Sequence, residues 1–127
     1  MEPEAYLDTH VVVWLYGGEI SKISPRVISI IEESTLYYSS FVRLELKYLF
    51  EIGKIKVAPD IILKSLEIEI ALVNRDSPLY VLVNNALEHS WTRDPFDRMI
   101  VSQAQLSDCM LVTKDSLIRE NFRNAVW

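Results

Sequence analysis

The sequence predicts an α/β protein built around a mainly parallel β-sheet. Its 127 residues are enough for one domain, and we expect a single domain over residues 1–127. Half of the residues (50%) are hydrophobic, which is sufficient apolar material for one core. Short apolar runs alternate with segments of helical periodicity along the chain. That alternation is typical of parallel strands joined by crossover helices.

Three short apolar runs are the predicted strands of this sheet. They cover residues 5–7, 36–38 and 110–113, and each is followed by a segment with 3.6-residue periodicity. A further strand is predicted over 78–83, followed by a short helix over 84–91. These last two segments have the weakest pattern in the chain.

The predicted helices begin and end at residues with known capping preferences. Ser24 is an N-cap candidate that precedes a helix over 26–31, and a second helix runs over 59–72 from its opening proline. Gly53 ends the helix that follows the second strand. Two later helical patterns cover 96–106 and 116–122.

Composition excludes several classes of protein. The net charge is -5, from 13 basic and 18 acidic residues, which argues against a general electrostatic grip on nucleic acid. Cys109 is the only cysteine, so neither a disulfide framework nor a cysteine-based zinc cluster can form. No apolar run approaches the roughly 18 residues of a membrane span. We therefore expect a cytoplasmic protein that does not contact membranes.

Four acidic residues fall where the predicted strands end or where the following helices begin. In open α/β sheets this edge is where ligands bind, and we expect the four carboxylates to meet there. Clustered carboxylates raise one another's pKa or bind cations, and Mg²⁺ prefers such oxygen ligands. The pattern predicts metal-assisted hydrolysis of a phosphodiester bond. The four residues are Asp8, Glu45, Asp97 and Asp115.

Glu45 is the most informative of these acids. Its neighbours on the same face of the predicted helix are apolar, and an unpaired carboxylate among them costs several kcal/mol. Two interpretations stay open: Glu45 binds a cation, or it is a core glutamate paired with a buried Arg or Tyr. The apolar neighbours are Phe41, Val42, Tyr48 and Leu49.

The other acids also have structural interpretations. Asp94 suits an N-cap, and Asp97 is placed to return the hydrogen bond of a capping box. Asp115 suits the N-cap of the last helix, and Asp8 is able to start a turn. Capping alone does not explain why four like charges should gather at one edge of a sheet.

Four sequence blocks resemble PIN-domain ribonucleases, in particular the VapC-like toxins of toxin–antitoxin pairs. They are Tyr-Leu-Asp-Thr-His at 6–10, Glu45 in the helix after two serines, Asp-Pro-Phe-Asp-Arg at 94–98 and Leu-Val-Thr-Lys-Asp at 111–115. The terminal Val-Trp at 126–127 is also similar. The resemblance implies a three-layer α/β/α fold with a central, mainly parallel sheet.

The same resemblance implies an endoribonuclease that uses Mg²⁺ or Mn²⁺, acts on RNA, forms a homodimer and is inhibited by a cognate antitoxin. One departure is that Trp91 and Thr92 stand before Arg93 where many relatives have a His before the Arg, which bears on how substrate is held. The metal-binding acids implied are Asp8, Glu45, Asp97 and Asp115, with Thr9, Asp94 and Thr113 in supporting roles.

Other polar and aromatic residues near these blocks have two interpretations each. Basic side chains contact phosphate or form salt bridges with the acids, and aromatic side chains stack on bases or belong to the core. We expect His10 to make local hydrogen bonds or touch phosphate, and His89 to lie on the surface. The basic residues are Arg43, Arg93, Arg98 and Lys114, and the aromatic ones are Tyr37, Tyr38 and Phe41.

Three other functions compete with the toxin. The first is a PIN nuclease of RNA processing or repair that has no antitoxin. The second is a catalytically inactive, PIN-like binding module. The third is a signalling receiver domain, for which Lys114 is suitably placed, but no acidic pair stands beside Asp8.

Overall fold

The structure, a computed structural model, describes residues 2–127. Within this range five strands form one sheet, and seven α-helices connect and cover them. The strands are β1 (Glu4–Leu7), β2 (Thr35–Tyr38), β3 (Val73–Asn74), β4 (Met110–Val112) and β5 (Ala125–Val126). The helices are α1 (Thr9–Tyr16), α2 (Pro25–Glu33), α3 (Ser40–Glu51), α4 (Pro59–Ile70), α5 (Leu79–Ala86), α6 (Pro95–Leu106) and α7 (Ser116–Asn121), with a short 3-10 helix at Ile20–Lys22.

The sheet has the order β3-β2-β1-β4-β5, and all of its strand pairs are parallel. Strand β1 is central: Tyr6 pairs with Tyr37 of β2 on one side and with Leu111 of β4 on the other. The predicted three-layer α/β/α fold with a parallel sheet is confirmed. No helix within residues 2–127 has the length and apolar character needed to cross a membrane.

Burial explains why the central strands are continuous apolar runs. Ala5, Tyr6 and Leu7 of β1 are all buried, as are Leu111 and Val112 of β4. A parallel sheet is covered by helices on both faces, so its central strands do not alternate between apolar and polar residues. This is why the sequence predicted β1 and β4 at nearly their observed positions; β2 was also predicted correctly, although only its Leu36 is buried.

Three predictions in the middle of the chain are wrong in type or in extent. The segment predicted as a strand over 78–83 belongs to α5, because Leu82 and Ala86 are spaced one helical turn apart and both bury against the α6 side of the molecule. The helix predicted over 84–91 is the end of α5 followed by turns. Helix α4 ends at Ile70, short of the predicted Leu72, because Ala71 adopts a left-handed conformation with φ of 57°.

Three of the helices begin directly after a strand, at the same edge of the sheet. Asp8 caps α1 after β1, Ser39 caps α3 after β2, and Asp115 caps α7 after β4. A fourth helix, α6, is capped by Asp94. The carboxyl edge of the sheet is therefore lined by the capping residues and first turns of these helices.

Candidate active site

A pocket of about 350 Å³ opens at this carboxyl edge. It contains all four acids that the sequence singled out, together with the carboxylate of Asp94. The supporting residues Thr9 and Thr113 lie behind these acids and are buried. The pocket is lined by Asp8, His10, Val11, Trp14, Glu45, Asp94, Asp97, Lys114 and Asp115.

Asp8 is fixed at the base of the pocket by the pairing of β1 with β4. Its backbone N–H donates to the carbonyl of Val112 at 3.0 Å, which continues the ladder beyond β1. Its Oδ1 accepts from the N–H of Thr9 at 2.8 Å, and its Oδ2 accepts from the hydroxyl of Thr113 at 2.6 Å. Burial nevertheless raises the pKa of Asp8, since the two hydrogen bonds compensate only part of the lost hydration.

Glu45 reaches the pocket from the second turn of α3 and is half-buried. The hydroxyl of Thr9 donates to its Oε1, so its partner is a hydroxyl group and not the buried Arg or Tyr of the structural interpretation. Burial, with the nearby charges of Asp8 and Asp94, raises the pKa of Glu45 to about 7. Glu45 is therefore a carboxyl group without a cationic partner among the described residues.

Asp97 is a strongly perturbed acid of the pocket. Burial raises its pKa to about 8, and the charges of Asp94, Asp8, Asp115 and Glu45 contribute in that order. The capping-box interpretation is wrong, because the N–H of Asp94 donates to the hydroxyl of Thr92 at 3.1 Å. The Asp97 carboxylate is left to face the other acids.

Asp94 and Asp115 combine a cap with a place in the pocket. Oδ1 of Asp94 accepts from the N–H groups of Phe96 and Asp97 at 2.8 and 3.1 Å. Oδ1 of Asp115 accepts from the first turn of α7 in the same way, at 2.8 and 3.2 Å. Each cap uses one carboxylate oxygen, so the second oxygen of each residue is available to the pocket. The capping interpretation and the site interpretation are therefore both compatible with these two residues.

The threonines connect the acids to one another. Thr113 donates its hydroxyl to Asp8, and the same oxygen accepts from the N–H of Asp115 at 3.1 Å. Thr9 caps nothing but donates to Glu45 across the base of the pocket. The two hydroxyl groups hold three acids in fixed relative positions, as expected for residues that orient ligands.

The basic residues named from the sequence mostly face elsewhere. Arg43 pairs with Asp60 through two hydrogen bonds of 2.8 and 3.0 Å. Arg93 donates to the carbonyl of Ser90, and only Lys114 lines the pocket. Among residues 2–127, none of the salt bridges involves an acid of the pocket. Apart from Lys114 in the lining, the basic residues named from the sequence therefore do not offset the negative charge of the pocket.

Arg98 has a role that the sequence did not reveal. Its Nε donates to the carbonyl of Thr92 at 3.0 Å, and its NH1 donates to the carbonyl of Ala86 at 3.4 Å. Arg98 therefore joins the end of α5 to the segment before Asp94. It forms no salt bridge with the acids of the pocket among the described residues, and it fixes the start of the helix that carries Asp97.

His89 supports the same segment, and its predicted surface position is wrong because its ring packs beneath Trp91 and is buried. Trp91 donates its indole N–H to Nδ1 of His89 at 3.2 Å, while Nε2 lies 3.2 Å from Oδ1 of Asn85. Burial lowers the pKa of His89. A histidine in a turn carries no sequence signal for such a buried contact.

The aromatic residues proposed to stack on bases do not line the pocket. Tyr37 donates to Glu4 at the opposite end of β1, and Phe41 packs against the core. Trp14 of α1 lines the pocket instead. Its i, i+4 relation to His10, which also lines the pocket, was the available signal.

The donor set suits a hard divalent cation. As the side chains stand, no three His, Cys, Asp or Glu groups within residues 2–127 converge closely enough to enclose a metal ion. Mg²⁺ commonly takes only one or two carboxylates and keeps several waters, so such a convergence is not required. Five carboxylates line the pocket, and none has a salt-bridge partner among the described residues. They offer the oxygen ligands that Mg²⁺ and Mn²⁺ prefer.

Fold and pocket together define a three-layer α/β/α protein with an acidic site at the carboxyl edge of its parallel sheet. The family model described as the PIN domain matches residues 5–121. The chain belongs to the PIN domain family, whose members are nucleases. A comparison with curated protein sequences returns no significant match.

Solved structures with this fold include a VapBC2 complex from Rickettsia felis bound to a promoter DNA fragment. That similarity has 19% identity and a TM-score of 0.65, and it covers 96% of this chain and 95% of the other. A DNA-bound VapBC complex from Salmonella typhimurium matches with 17% identity, a TM-score of 0.61 and coverage of 97% and 95%. A domain of a functionally unknown protein from Methanocaldococcus jannaschii matches with 19% identity, a TM-score of 0.58 and coverage of 98% and 90%. At this identity the similarities show the fold.

Proposed function

We propose that this protein is a metal-dependent endoribonuclease that hydrolyses RNA phosphodiester bonds, and that it is the toxin component of a toxin–antitoxin pair. The observation that carries the nuclease is the pocket: the carboxylates of a PIN domain meet at one edge of the sheet and have no salt-bridge partner. An acidic pocket of this kind repels a phosphate unless cations occupy it. The activity is therefore dependent on a divalent cation.

Asp8, Glu45, Asp97 and Asp115 would hold Mg²⁺ or Mn²⁺, with Asp94 as a further oxygen donor. The bound cation supplies Lewis acidity toward a phosphate oxygen and lowers the pKa of water. The residues of the chain hold these carboxylates in position. Thr113 orients Asp8, Thr9 orients Glu45, and the caps formed by Asp94 and Asp115 hold α6 and α7 at the pocket.

The first experiment measures RNA cleavage by the wild type with Mg²⁺, with Mn²⁺ and with EDTA, beside Asp8→Asn and Asp97→Asn. We expect each variant to lose activity by about 10³-fold or more, because each loses a charged oxygen donor. Circular dichroism checks that both variants fold. Full activity in both variants, or cleavage that persists in EDTA, would overturn the proposal, and sequencing of the cleaved ends identifies the RNA.

The toxin assignment rests on the resemblance to VapC-like proteins and on the two VapBC complexes, whose fold spans nearly the whole chain. The proposed partners are an RNA substrate and a cognate antitoxin, and the site of action is the cytoplasm. We expect this protein to copurify with a small protein encoded by a neighbouring gene. We also expect it to inhibit growth, and the small protein to relieve that inhibition. Cleavage without any such partner would favour a nuclease of RNA processing.

The proposed homodimer has a candidate surface on α5. Several apolar residues of α5 and its C-cap are largely exposed, with Tyr80 exposed to 86% and the C-cap Leu87 to 66%. Exposed apolar patches of this kind mark association surfaces. We expect light scattering to show a dimer and Tyr80→Asp with Leu87→Glu to shift it toward monomer, whereas a wild-type monomer would contradict this part of the proposal.

One observation favours a second function, a catalytically inactive PIN-like binding module: no three acids converge closely within residues 2–127. Calorimetry with Mn²⁺ separates the two. Heat of binding that Asp97→Asn removes supports the nuclease, and the absence of any binding supports the inactive module.

A further inference from the structure

We propose that Trp14 provides a stacking surface for a base of a single-stranded nucleic acid substrate, next to the phosphate that enters the acidic pocket. Lys114 and Lys22 would contact the phosphates on either side of that base. This inference rests on the proposed function, because it extends the nuclease site by a subsite. It assigns a role to the part of the pocket lining that contributes no carboxylate.

The geometry places Trp14 at the centre of an aromatic and cationic cluster on the α1 side of the pocket. The ring of His10 lies 6.1 Å from the Trp14 ring, and the ring of Trp127 lies 5.8 Å from it. Trp14 is only half-buried and lines the pocket, so part of its ring surface is accessible there. The neighbouring Trp127 ring, tilted by 59° to it, helps to hold the Trp14 ring in place.

Two ammonium groups lie over the same ring. Nζ of Lys114 is 5.9 Å from the ring centroid, and Nζ of Lys22 is 6.0 Å from it. Lys114 forms no salt bridge with another described residue, although Asp115 is its neighbour in the chain. Lys22 pairs at 3.3 Å with the exposed Glu19, a contact that a phosphate can replace. Both lysines are therefore available to an anionic strand.

This combination of groups is what a single strand requires. Its bases present π faces that stack on aromatic side chains, and its phosphates are attracted to neighbouring cations. A duplex keeps its bases stacked on one another and cannot use the ring. The cluster also compensates, at the mouth of the pocket, for the overall net charge of -5. A strand is thus held by Trp14 and the lysines while its phosphate lies among the carboxylates.

The experiment compares Trp14→Leu, which removes the aromatic face, with Trp14→Phe, which keeps one. The control is Phe50→Leu, because Phe50 is also half-buried and has the ammonium of Lys47 5.5 Å from its ring, but it does not line the pocket. Binding of a short fluorescein-labelled single-stranded RNA is measured by anisotropy in the Asp97→Asn background. Cleavage of RNA is measured in the active background, beside cleavage of an abasic oligoribose phosphate, which has phosphodiester bonds but no aromatic ring that could stack on Trp14.

We expect Trp14→Leu to weaken RNA binding and to raise KM for RNA about tenfold, which corresponds to about 1.4 kcal/mol. Cleavage of the abasic oligomer by Trp14→Leu should change by about twofold at most, because that substrate has no ring to stack. Trp14→Phe should recover most of the RNA binding, and Phe50→Leu should bind RNA as wild type does. Unchanged RNA affinity in Trp14→Leu, or an equal loss with both substrates, would overturn the stacking subsite while leaving the nuclease intact. A wild type that hydrolyses neither substrate would instead overturn the proposed function.

Discussion

The two ends of β1 carry acids in opposite electrostatic situations. Glu4, at the start of the strand, accepts from the hydroxyl of Tyr37 at 2.9 Å and from Arg75 at 3.1 Å. The hydrogen bond from Tyr37, with the charge of Arg75, holds the pKa of Glu4 below its ordinary value. Asp8, which follows the strand, is buried among other acids, and burial raises its pKa. One end of the strand is neutralised by the chain, and the other is not.

Arg75 is the basic residue that compensates the charge of Glu4 at the first end of β1. Its guanidinium stacks on the Tyr37 ring at 3.7 Å and donates to the Tyr6 hydroxyl at 3.1 Å and to Sγ of Cys109 at 3.2 Å. Cys109 is buried. At one edge of the sheet, this chain pairs the carboxylate of Glu4 with a basic side chain. The acids at the other edge have no such partner, and this is a specific feature of the pocket. Such a feature destabilises the apo protein and suits a site that binds cations.

Among the comparisons of the paired acid Glu4 with the acids of the pocket, the largest effect is expected from making the same substitution at two glutamates. Glu45→Gln removes a charged oxygen from the pocket and should lower RNA cleavage by about 100-fold or more. Glu4→Gln makes the identical change at the paired end and should leave cleavage within about twofold of wild type. Initial rates with a fluorescent RNA in saturating Mg²⁺ measure both. Equal losses of activity in the two variants would show that the acids of the pocket have no special role in cleavage.

Two arginines give the next comparison. Arg98→Ala should lower kcat for RNA about tenfold, because the segment before Asp94 loses its attachment to α5 and the acids shift. Arg98→Lys should recover part of kcat, since one donor remains. Arg75→Ala should leave kcat unchanged and lower the free energy of unfolding by about 1–2 kcal/mol. Steady-state kinetics and urea denaturation measure the two effects, and a loss of stability without loss of kcat in Arg98→Ala would contradict this role.

The pH dependence of the stability of the metal-free protein directly tests the acids of the pocket, which have no basic partner. The pKa of Asp97 is about 8 in the folded protein against an ordinary 3.8, and that of Glu45 is about 7 against 4.5. Groups with a raised pKa bind more protons when folded, so their stabilising contribution is present at low pH and is lost as the pH rises through the folded values. We expect the free energy of unfolding in EDTA to fall between about pH 5 and about pH 9.

Asp97→Asn should flatten that pH profile. Near pH 9 it should be more stable than wild type by about 1–2 kcal/mol, a figure reduced for solvent screening at the open pocket. Urea denaturation across the pH range provides the measurement. A wild-type free energy of unfolding that rises over the same pH range would show that burial and the neighbouring charges do not raise the pKa values of these acids.

The smallest effect is expected on the stability of the protein when Glu4, the acid paired with Arg75, is replaced. The lowered pKa of Glu4 means that its contribution to stability is present above its ordinary pKa of 4.5 and is lost as the pH falls. Because this acid is exposed, Glu4→Gln should lower Tm only slightly at neutral pH, and the difference from wild type should vanish in acid. Calorimetric scans at two pH values detect it. A large loss of Tm at neutral pH would mean that the Arg75 cluster is a major source of stability.

The sequence was sufficient for the central sheet and for the meeting of the acids. Strands β1 and β4 are buried on both faces, so their apolar runs are visible without any knowledge of the fold. The four acids follow strands or open helices at one edge, and topology alone brings them into one pocket. Their role as metal ligands stays a prediction, as do the supporting roles of Thr9 and Thr113.

Other features depend on contacts that a local pattern does not contain. Strands β3 and β5 are two residues each and exist only through pairing with a longer neighbour. Helix α5 has apolar residues on its exposed side, which obscures helical periodicity. The buried contact of His89 with Trp91 and the carbonyl contacts of Arg98 depend on how α5 and α6 pack together.

The two outer strands have a consequence for the behaviour of the protein at high concentration. A sheet edge offers unpaired N–H and C=O groups on which another chain can add a strand. Here both outer strands, β3 and β5, are only two residues long, so each edge exposes very few such groups. A protein in which 50% of residues are hydrophobic thereby avoids presenting a template for amyloid-like growth, and its association is left to side-chain surfaces.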